Sequence, residues 1–468
     1  MPSRVLLLNA NRCTTPDPVF PLGLAYLTAA LRHAGHECFL ADRLAQADFL
    51  GSAAQYSRPN VIGISLRNVD DVLIRKRETF YNELSLLITS LRDEHKCPIV
   101  LGGSGYSMFP ESLLQLTGAD FGIAGEGEPA MLALLAALET GNDYQHIPGL
   151  VFRTAGKIRA NPGRPGGLEC GLTDTDWSPA IAEYYVRSSS MLSVQTQRGC
   201  AFHCCYCTYP VIEGRHHRRR SAEWVAEEFL QAERLGARYV FVVDSVFNSS
   251  PKHVVEICEA LLARRVKIPW GCFLRPQALT RDLMRLMARA GLKHIEFGSD
   301  SLCDEVLAAY HKEFTFGDIY HSSELARAEQ IEHCHYLIAG GPGETEQTLE
   351  QGFGNSRKMT SAVFMAIAGM RIYPETQLFA RASAEGVVAS DADLLSPAYY
   401  IAPGLTADTV LARLETFARR SPNWIVGNPD PGYRDFVARL RRRGVAGPLW
   451  SYFSLLQHVR PDRLTSRS

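Results

Sequence analysis

Three cysteines in one short stretch have a spacing that could hold a metal cluster. Cys200, Cys204 and Cys207 follow an Arg-Gly pair in the pattern CxxxCxxC. Three thiolates from one loop can occupy three corners of a cubic iron–sulfur cluster, whereas the common ferredoxin sequences supply a fourth cysteine nearby. Cys205 lies inside the spacing, and we expect it to face away as a buried thiol because adjacent side chains in a tight loop point apart. One iron would therefore have no protein ligand.

An open metal position is typical of a catalytic site, as the contrast between open and closed zinc sites shows. The alternatives are a zinc site or a chance cluster among the 12 cysteines of the chain. Zinc normally takes four ligands in paired CxxC or HxxxH patterns, which this spacing fits poorly. The spacing therefore favours a catalytic iron–sulfur centre.

With an aromatic residue, Tyr206, directly before its last cysteine, the loop resembles that of the radical S-adenosylmethionine (radical SAM) enzymes. The resemblance implies that Cys200, Cys204 and Cys207 bind a [4Fe-4S] cluster. It also implies that the amino and carboxylate groups of S-adenosylmethionine chelate the open iron, and that one electron cleaves the sulfonium to a 5′-deoxyadenosyl radical. An electron donor such as flavodoxin or ferredoxin is then an expected partner.

Length and composition limit the classes of protein that the chain can represent. Its 468 residues predict two or three domains. A net charge of −1 argues against a nucleic-acid binder held by charge alone. The apolar run at residues 5–8 is too short for a signal peptide or a membrane span. We expect a cytoplasmic protein, because cysteines without a regular disulfide framework suit a reducing compartment.

Residues 1–145 alternate apolar strands with helical stretches, which predicts a doubly wound parallel sheet. In such sheets a ligand lies beyond the carboxyl ends of the strands. The predicted strands are residues 5–8, 37–41, 61–66, 99–103 and 121–124.

The residues after these strands resemble the cobalamin-binding domain that precedes the radical domain in one branch of the family. Gly102 and Gly103 would let the backbone approach a large flat ligand. The first histidine is His33, too late for the DxHxxG motif, so the resemblance implies cobalamin without a protein histidine ligand. The alternative is a Rossmann-like domain that binds nothing or another nucleotide. The expected cobalamin-binding residues are Asn11, Ser65, Leu66, Arg67, Asn68, Gly102, Gly103, Ser104, Gly125, Glu126 and Gly127, with Arg67 or Asn68 covering the lower face of cobalt.

Residues 146–190 read as a hairpin followed by a Pro/Gly-rich linker. Residues 191–384 then repeat strands and helices in the order of a partial (β/α)6 barrel, with the cluster loop after its first strand. Residues 385–468 have helical periodicity at 411–419, 433–443 and 450–458. The six predicted barrel strands are residues 192–196, 239–243, 269–275, 293–298, 335–339 and 370–376.

Polar residues at the ends of these strands match positions that bind S-adenosylmethionine in the family. The resemblance implies that Asp244 binds the amino group. Arg275 could bind the carboxylate through two hydrogen bonds. Asp300 stands where the family often has a glutamate that meets the ribose, with Glu296 as its substitute. The full expected set is Phe202, Tyr206, Asp244, Ser245, Arg275, Glu296, Asp300, Ala339, Gly340 and Tyr373.

Two basic stretches, residues 216–220 and 439–443, are expected to form solvated faces. An alternative for the first stretch is contact with an anionic substrate.

Together these features imply a cobalamin-dependent radical SAM enzyme. The main expectation is a methyltransferase that uses methylcobalamin and a 5′-deoxyadenosyl radical on an unactivated carbon, or on phosphorus, of a small molecule or lipid precursor. Two cofactors divide the labour, since one abstracts hydrogen and the other delivers methyl. One alternative is a cyclase, ring-contraction or oxidation enzyme without net methyl transfer. Another is a cobalamin or iron–sulfur sensor or binding module.

Overall fold

The computed structural model describes residues 2–14, 17–49, 51, 56, 58–141, 143–163, 174–427 and 431–452. The first part of the chain builds a seven-stranded sheet in the order β2-β1-β3-β4-β5-β6-β7. Its strands are β1 (Arg4–Asn9), β2 (Glu37–Asp42), β3 (Val61–Ser65), β4 (Ile99–Gly102), β5 (Phe121–Ile123), β6 (Leu150–Thr154) and β7 (Lys157–Ala160). The helices of this part are α1 (Leu22–His33), α2 (Leu84–Glu94), α3 (Ser104–Met108), α4 (Pro110–Thr117), α5 (Gly127–Thr140) and α6 (Pro179–Ser189).

The central strand β1 is buried on both faces, as its continuous apolar run predicts. Val5 and Leu7 belong to a core that includes residues of α1 and α5. Leu6 and Leu8 belong to the opposite core, which includes residues of α2 and α4. The five parallel strands therefore end at one edge, and the predicted ligand-binding loops are brought together there.

The predicted hairpin forms at residues 150–160, whereas residues 164–167 of the predicted Pro/Gly-rich linker lie outside the described residues. Strand β6 pairs antiparallel with β5, with Ile123 opposite Leu150, and β7 pairs with β6. The hairpin therefore extends the first sheet to Ala160. Trp177 and Tyr185 are buried against Phe20, with ring centroids 5.1 and 5.7 Å away.

The second large sheet contains the predicted barrel strands in the parallel order β8-β11-β12-β13-β14-β15-β18. Its strands and the short pairs beside it are β8 (Met191–Val194), β9 (Gln197–Arg198), β10 (Arg218–Arg219), β11 (Tyr239–Val242), β12 (Trp270–Leu274), β13 (Leu292–Asp300), β14 (Glu332–Ala339), β15 (Val363–Ala368), β16 (Met370–Arg371), β17 (Tyr399–Tyr400) and β18 (Trp424–Val426). The helices are α7 (Tyr209–Ile212), α8 (Ala222–Arg234), α9 (Pro251–Ala263), α10 (Arg281–Arg289), α11 (Asp304–Ala309), α12 (Phe316–Ala328), α13 (Glu346–Ser356), α14 (Gln377–Ala384), α15 (Ala407–Ala418) and α16 (Pro431–Arg442).

The sixth parallel strand differs from the predicted one. It is β15, Val363–Ala368, and Gly369 ends it with a φ of +79°. The segment predicted in its place contributes only β16, which pairs antiparallel with β17. The error arose because the apolar residues after Gly369 also fit a strand.

The C-terminal region is not purely helical. Strand β18 pairs with β15 and gives the second sheet a seventh parallel strand. Helices α15 and α16 match two of the predicted helices, whereas Trp450–Tyr452 forms a single 3-10 turn. The remainder of the third predicted helix, residues 453–458, lies outside the described residues. Of the helices that the structure describes, none is both long and apolar enough to cross a bilayer.

Candidate functional site

The cluster loop leaves β9 through a turn that only glycine fits. Gly199 has a φ of +92°, and a Cβ there would lie 2.1 Å from the carbonyl oxygen of His216. The next amide, of Cys200, donates to the Gly214 carbonyl at 3.0 Å, and the Cys207 amide donates to the Cys204 carbonyl at 3.1 Å. The first thiol is buried and the other two are partly exposed. The loop therefore holds three thiols in a fixed local frame.

Cys205 faces away from this frame, as predicted. Its side chain is buried in the core that also contains Val306 and Tyr310. Its amide donates to the Tyr310 carbonyl at 3.1 Å, and its carbonyl accepts from the Leu378 amide at 2.8 Å. Cys205 therefore fixes the loop to the barrel, and Cys200, Cys204 and Cys207 stay the predicted ligands.

The three thiols are predicted to bind different irons of one cluster. Within the described ranges, no three His, Cys, Asp or Glu side chains surround one metal position. Thiolates that bind three different irons of a cluster need not converge on one point. Burial raises the pKa of Cys207 to about 12 in the protein without metal. A coordinated metal reverses this effect, because it deprotonates its thiol ligands.

Asp244, expected to bind the amino group of S-adenosylmethionine, is not exposed to a ligand in the structure. Its side chain is fully buried, and Oδ1 accepts hydrogen bonds from the amides of Thr196 at 2.6 Å and Gln197 at 3.2 Å. The Thr196 hydroxyl donates to Oδ2 at 2.5 Å. Burial raises the pKa of Asp244 to about 7, while these hydrogen bonds act in the opposite direction. Asp244 therefore fixes the segment before the cluster loop.

Arg275 lies beside the cluster loop. It directly follows β12, and its guanidinium carbon lies 3.6 Å from the centroid of the Phe202 ring. Nη1 lies 3.8 Å from Cys204 Sγ. Nη2 is buried and has no hydrogen-bond partner among the described residues, although Glu313 Oε2 lies 3.8 Å away. A buried, unsatisfied donor beside the cluster loop fits the predicted binding of an anionic group.

Asp300, expected to meet the ribose of S-adenosylmethionine, already has other partners. It has a φ of +62°, and its carboxylate pairs with the buried ammonium of Lys312. The Tyr206 hydroxyl also donates to the same carboxylate. These contacts join the residue before Cys207 to the end of β13. Lys312 is a site residue that the sequence analysis missed.

Glu296, the proposed substitute for Asp300, lies deeper along the same strand. Its carboxylate accepts hydrogen bonds from the Tyr336 hydroxyl and from Trp450 Nε1, both at 2.9 Å. Burial raises the pKa of Glu296 to about 7. The C-terminal region therefore contacts this carboxylate, which does not support a role beside the ribose.

The remaining predicted residues for S-adenosylmethionine occupy three places. The Ser245 hydroxyl donates to the Gly199 carbonyl at 3.0 Å and so lies against the cluster loop. Ala339 and Gly340 end β14, and the Gly340 amide donates to Glu344 at 3.3 Å. Tyr373 instead lies towards the first domain, with its ring 6.1 Å from that of Phe109.

A cavity of about 300 Å³ opens at the carboxyl edge of the first sheet. Leu66 and Asn68 do not line it, in contrast to the prediction, and Leu66 is buried in the apolar core. The other nine predicted cobalamin-binding residues do line it: Asn11, Ser65, Arg67, Gly102, Gly103, Ser104, Gly125, Glu126 and Gly127.

The walls of this cavity fit a large ligand that makes polar contacts. Nδ2 of Asn11 is buried and has no hydrogen-bond partner in the described part of the chain. A Cβ on Gly102 would meet nothing closer than the Ile123 carbonyl at 3.8 Å, so the missing side chain widens the cavity. Gly103 is required by the turn, because it has a φ of +99° and its Cβ would lie 2.6 Å from the Leu66 carbonyl.

A buried ion-pair cluster lies between the cavity and the cysteines. Arg198 Nη1 donates to Glu126 Oε2 and Nη2 donates to Glu128 Oε1, both at 2.8 Å. Arg218 also pairs with Glu126. The stretch 216–220 is therefore only partly a solvated face, because Arg218 and Arg220 are buried whereas His216 and Arg219 are exposed. In the second basic stretch Arg441 pairs with Asp17 at 2.8 Å, and Arg439, Arg442 and Arg443 are exposed as predicted.

These features define a two-domain protein with a cluster loop at the end of one parallel sheet and a ligand cavity at the end of another. Comparison with known families gives two matches. The radical SAM superfamily model matches residues 194–352, and the B12 binding domain model matches residues 10–135. The chain belongs to the cobalamin-binding-domain radical SAM enzyme family. The predicted cofactors, a [4Fe-4S] cluster, S-adenosylmethionine and cobalamin, are confirmed.

Several curated proteins are similar to the chain. Tryptophan 2-C-methyltransferase of Streptomyces laurentii is 24% identical, with 79% of this chain and 73% of the relative covered. Hopanoid C-3 methylase of Methylococcus capsulatus is 26% identical, with 72% and 65% covered. Anaerobic magnesium-protoporphyrin IX monomethyl ester cyclase of Cereibacter sphaeroides is 25% identical, with 71% and 55% covered.

Solved structures share the fold over almost the whole chain. The radical S-adenosylmethionine methyltransferase TsrM from Kitasatospora setae, solved with cobalamin and a [4Fe-4S] cluster, has a TM-score of 0.84 at 22% identity and covers 98% of both chains. The cobalamin-dependent radical enzyme OxsB has a TM-score of 0.73 at 16% identity, with 97% of this chain and 72% of that chain covered. The predicted fold class is confirmed.

Proposed function

We propose that the protein is a cobalamin-dependent radical SAM methyltransferase that acts on an unactivated carbon, or on phosphorus, of a small molecule or lipid precursor. One observation supports this most directly: the cobalamin cavity and the cluster loop share a border. Gln195, Arg198, Tyr209 and Glu213, which flank the cysteines, also line the cavity of the first domain. A substrate held at this border would be within reach of both cofactors.

The residues of the chain suit this division of labour. When bound, the cluster and S-adenosylmethionine supply a hydrogen-abstracting radical and cobalamin supplies a transferable methyl group. Cys200, Cys204 and Cys207 would hold the cluster, and Arg275 would bind the methionine carboxylate. Two hydrogen bonds from the Arg275 guanidinium would restrict the orientation of that carboxylate and so help to orient the bound S-adenosylmethionine.

Around the cofactors, the protein must also exclude water. The Lys312–Asp300 pair and the Tyr206 hydroxyl close the loop side of the barrel through buried contacts. In the first domain, the exposed residue Arg67 lines the cobalamin cavity, whereas Asn68 does not. We therefore assign the lower face of cobalt to Arg67. This assignment is tested by the absorption spectrum of the bound cofactor, which should show no nitrogen ligand from the protein.

The relatives support methyl transfer but differ in what they act on, as their names state: an amino acid and a hopanoid. This chain's substrate is therefore proposed only as a class. We also propose flavodoxin or ferredoxin as the electron donor, and the cytoplasm as the compartment, because the cluster needs a low-potential electron and reducing surroundings.

A second candidate, ring closure without net methyl transfer, is favoured by the similarity to the anaerobic cyclase. Anaerobic turnover with methyl-deuterated S-adenosylmethionine, a reductant and a small-molecule extract separates the two. A methyltransferase forms S-adenosylhomocysteine, 5′-deoxyadenosine and a metabolite that carries the deuterated methyl group. A cyclase forms 5′-deoxyadenosine and an unlabelled product. A sensor forms none of these, and the variant Cys204→Ala is the inactive control for all three outcomes.

A further inference from the structure

We propose that the buried ion-pair cluster of Glu126, Glu128, Arg198 and Arg218 is a positioning device that fixes the cobalamin cavity against the cysteine loop. The inference rests on the proposed function, because it concerns the separation of the two cofactors. The four residues come from different domains, two from each. We refer to them below as the interdomain ion cluster.

The interdomain ion cluster contains several hydrogen bonds, and its side chains are shielded from solvent. Besides its two bonds to Arg198 and Arg218, Glu126 receives a second bond from Arg218, whose Nη1 lies 2.8 Å from Oε2. The side chains of Arg198 and Glu126 are 8% and 7% exposed. Burial raises the pKa of Glu126, but the two arginines outweigh this effect and the net pKa is lowered. The pair is therefore ionic, and its geometry is fixed by forked guanidinium groups.

Each end of the cluster is attached directly to a cofactor site. Glu126 lies in the loop after β5 that lines the cavity, and Glu128 lies in the first turn of α5. Arg198 is two residues before Cys200 in β9, and Arg218 faces it across the β9–β10 pair. Glu126 itself lines the cavity and only Gly199 separates Arg198 from Cys200, so a shift at one end would be transmitted to the other.

A second layer of contacts orients Arg198 itself. Its Nε donates to Gln195 Oε1 at 3.1 Å, and its guanidinium lies 4.8 Å from the centroid of the Tyr26 ring in α1. Glu213 accepts from Gln195 Nε2 at 3.1 Å and from the amide of Gly199 at 3.0 Å. The turn that begins the cysteine loop is thus hydrogen-bonded to the same network.

Such a network is better explained by position than by stability. Replacing buried ion pairs with apolar residues is often neutral for stability, whereas their directional bonds can specify one arrangement of the parts they join. A reaction in which two cofactors share one substrate depends on that arrangement, because small misplacements of reacting groups are costly. The interdomain ion cluster would therefore set the distance between cobalt and the iron–sulfur centre.

The distance can be measured without knowing the substrate. The full-length protein is reconstituted anaerobically with iron, sulfide and hydroxocobalamin, then reduced so that cob(II)alamin and the reduced cluster are both paramagnetic. Pulsed electron paramagnetic resonance gives the dipolar coupling between the two centres. The variants are Glu126→Gln, which removes the charge that pairs with both arginines, and Glu128→Gln, which removes the charge that pairs with Arg198 alone.

The matched control is Glu83→Gln. Glu83 also bridges two arginines, Arg12 at 2.5 Å and Arg43 at 2.7 Å, but it lies wholly within the first domain and its side chain is 43% exposed. We expect Glu126→Gln to broaden and shift the distance distribution, Glu128→Gln to do so less, and Glu83→Gln to match the wild type. Iron content per chain should remain at the wild-type level in all of them, and the distance is compared only in molecules that hold both centres, because Glu126 itself lines the cobalamin cavity.

Two results would overturn the inference: a wild-type distribution in both Glu126→Gln and Glu128→Gln at full cofactor content, or equal broadening in the control. If Glu126→Gln does not fold, Glu128→Gln decides alone. A wild-type protein that lacks one of the two paramagnetic centres would instead contradict the proposed function, and so the two failures are distinguishable.

Discussion

The guanidinium of Arg275 lies above the cluster loop, with Nη1 3.8 Å from the Sγ of Cys204. Its side chain is held by the Phe202 ring on one side and by Gln277, which accepts from Nε at 3.1 Å. A buried cation this close to a cysteine ligand stabilises the more negative, reduced state of a cluster. We therefore expect Arg275 to influence the potential of the cluster as well as to bind the proposed carboxylate of S-adenosylmethionine.

The first prediction follows from this contact. Arg275→Gln should make the midpoint potential of the cluster more negative by about 50 to 100 mV, the equivalent of one lost charge-assisted hydrogen bond. A redox titration followed by electron paramagnetic resonance measures this shift. The control is Arg285→Gln, an exposed arginine on α10. An unchanged midpoint potential in Arg275→Gln would show that the guanidinium does not stabilise the reduced cluster.

The second prediction separates the ligand cysteines from the fourth cysteine of the loop. Cys200→Ala, Cys204→Ala and Cys207→Ala should each lose the visible absorption of the cluster and its sulfide after anaerobic reconstitution. Cys205→Ala should keep both and lose only about 1 kcal/mol of stability, a typical cost for a buried change. If Cys205→Ala were the only variant to lose the cluster, Cys205 would be a cluster ligand, which would contradict the structure.

Much of the fold could be predicted from the sequence, because parallel strands buried on both faces are continuous apolar runs. Strands such as β1 and β11 were found for this reason, and the cysteine spacing located the cluster loop directly. The strands that were missed or misplaced have weaker local patterns. Strand β18 has only three residues, and its assignment depends on pairing with β15, about 60 residues earlier in the chain.

The site was harder to predict, because the sequence shows which residues end a strand but not which contacts already occupy them. Asp244 is bound by Thr196, 48 residues away, and Asp300 is bound by Lys312 across a short helix. Glu126 and Arg218 are 92 residues apart and meet only when the two domains pack. No local pattern marks such partners, so carboxylates that looked available are structural.

The third prediction concerns a second contact between the domains. Asp70 of the first domain pairs with Arg371 of β16 at 2.8 Å, and their side chains are 0% and 3% exposed. Asp70→Asn should lower the free energy of unfolding by about 3 to 5 kcal/mol, because a buried guanidinium is left without its counter-charge.

Urea denaturation measures this loss, and an exposed pair gives the control. Arg75 and Glu415 also join the two domains, at 2.5 Å, but they are 57% and 39% exposed. Glu415→Gln should cost about 1 kcal/mol or less, as exposed pairs do. Equal costs for Asp70→Asn and Glu415→Gln would contradict the role given to burial.

The last prediction is a pH dependence of stability that arises from Glu296. Burial raises its pKa from an ordinary value of 4.5 to about 7, so the folded protein keeps a proton that the unfolded chain has already released. Between these values the folded state binds more protons, and wild-type stability falls as pH rises. Glu296→Gln does not titrate. Its stability relative to the wild type should therefore rise from pH 4.5 to pH 7, by at most about 1.4 kcal/mol per pH unit, and then level off.

Trp450 allows the cause of this dependence to be checked. Its indole donates to the Glu296 carboxylate and so lowers the pKa that burial raises. Trp450→Phe removes that donor and should extend the falling limb of the stability curve above pH 7. The measurement is urea denaturation at a series of pH values for the wild type and both variants. If the difference in stability between Glu296→Gln and the wild type does not change with pH, Glu296 is ionised in the folded protein. Trp450 then donates its hydrogen bond to a carboxylate and not to a carboxylic acid.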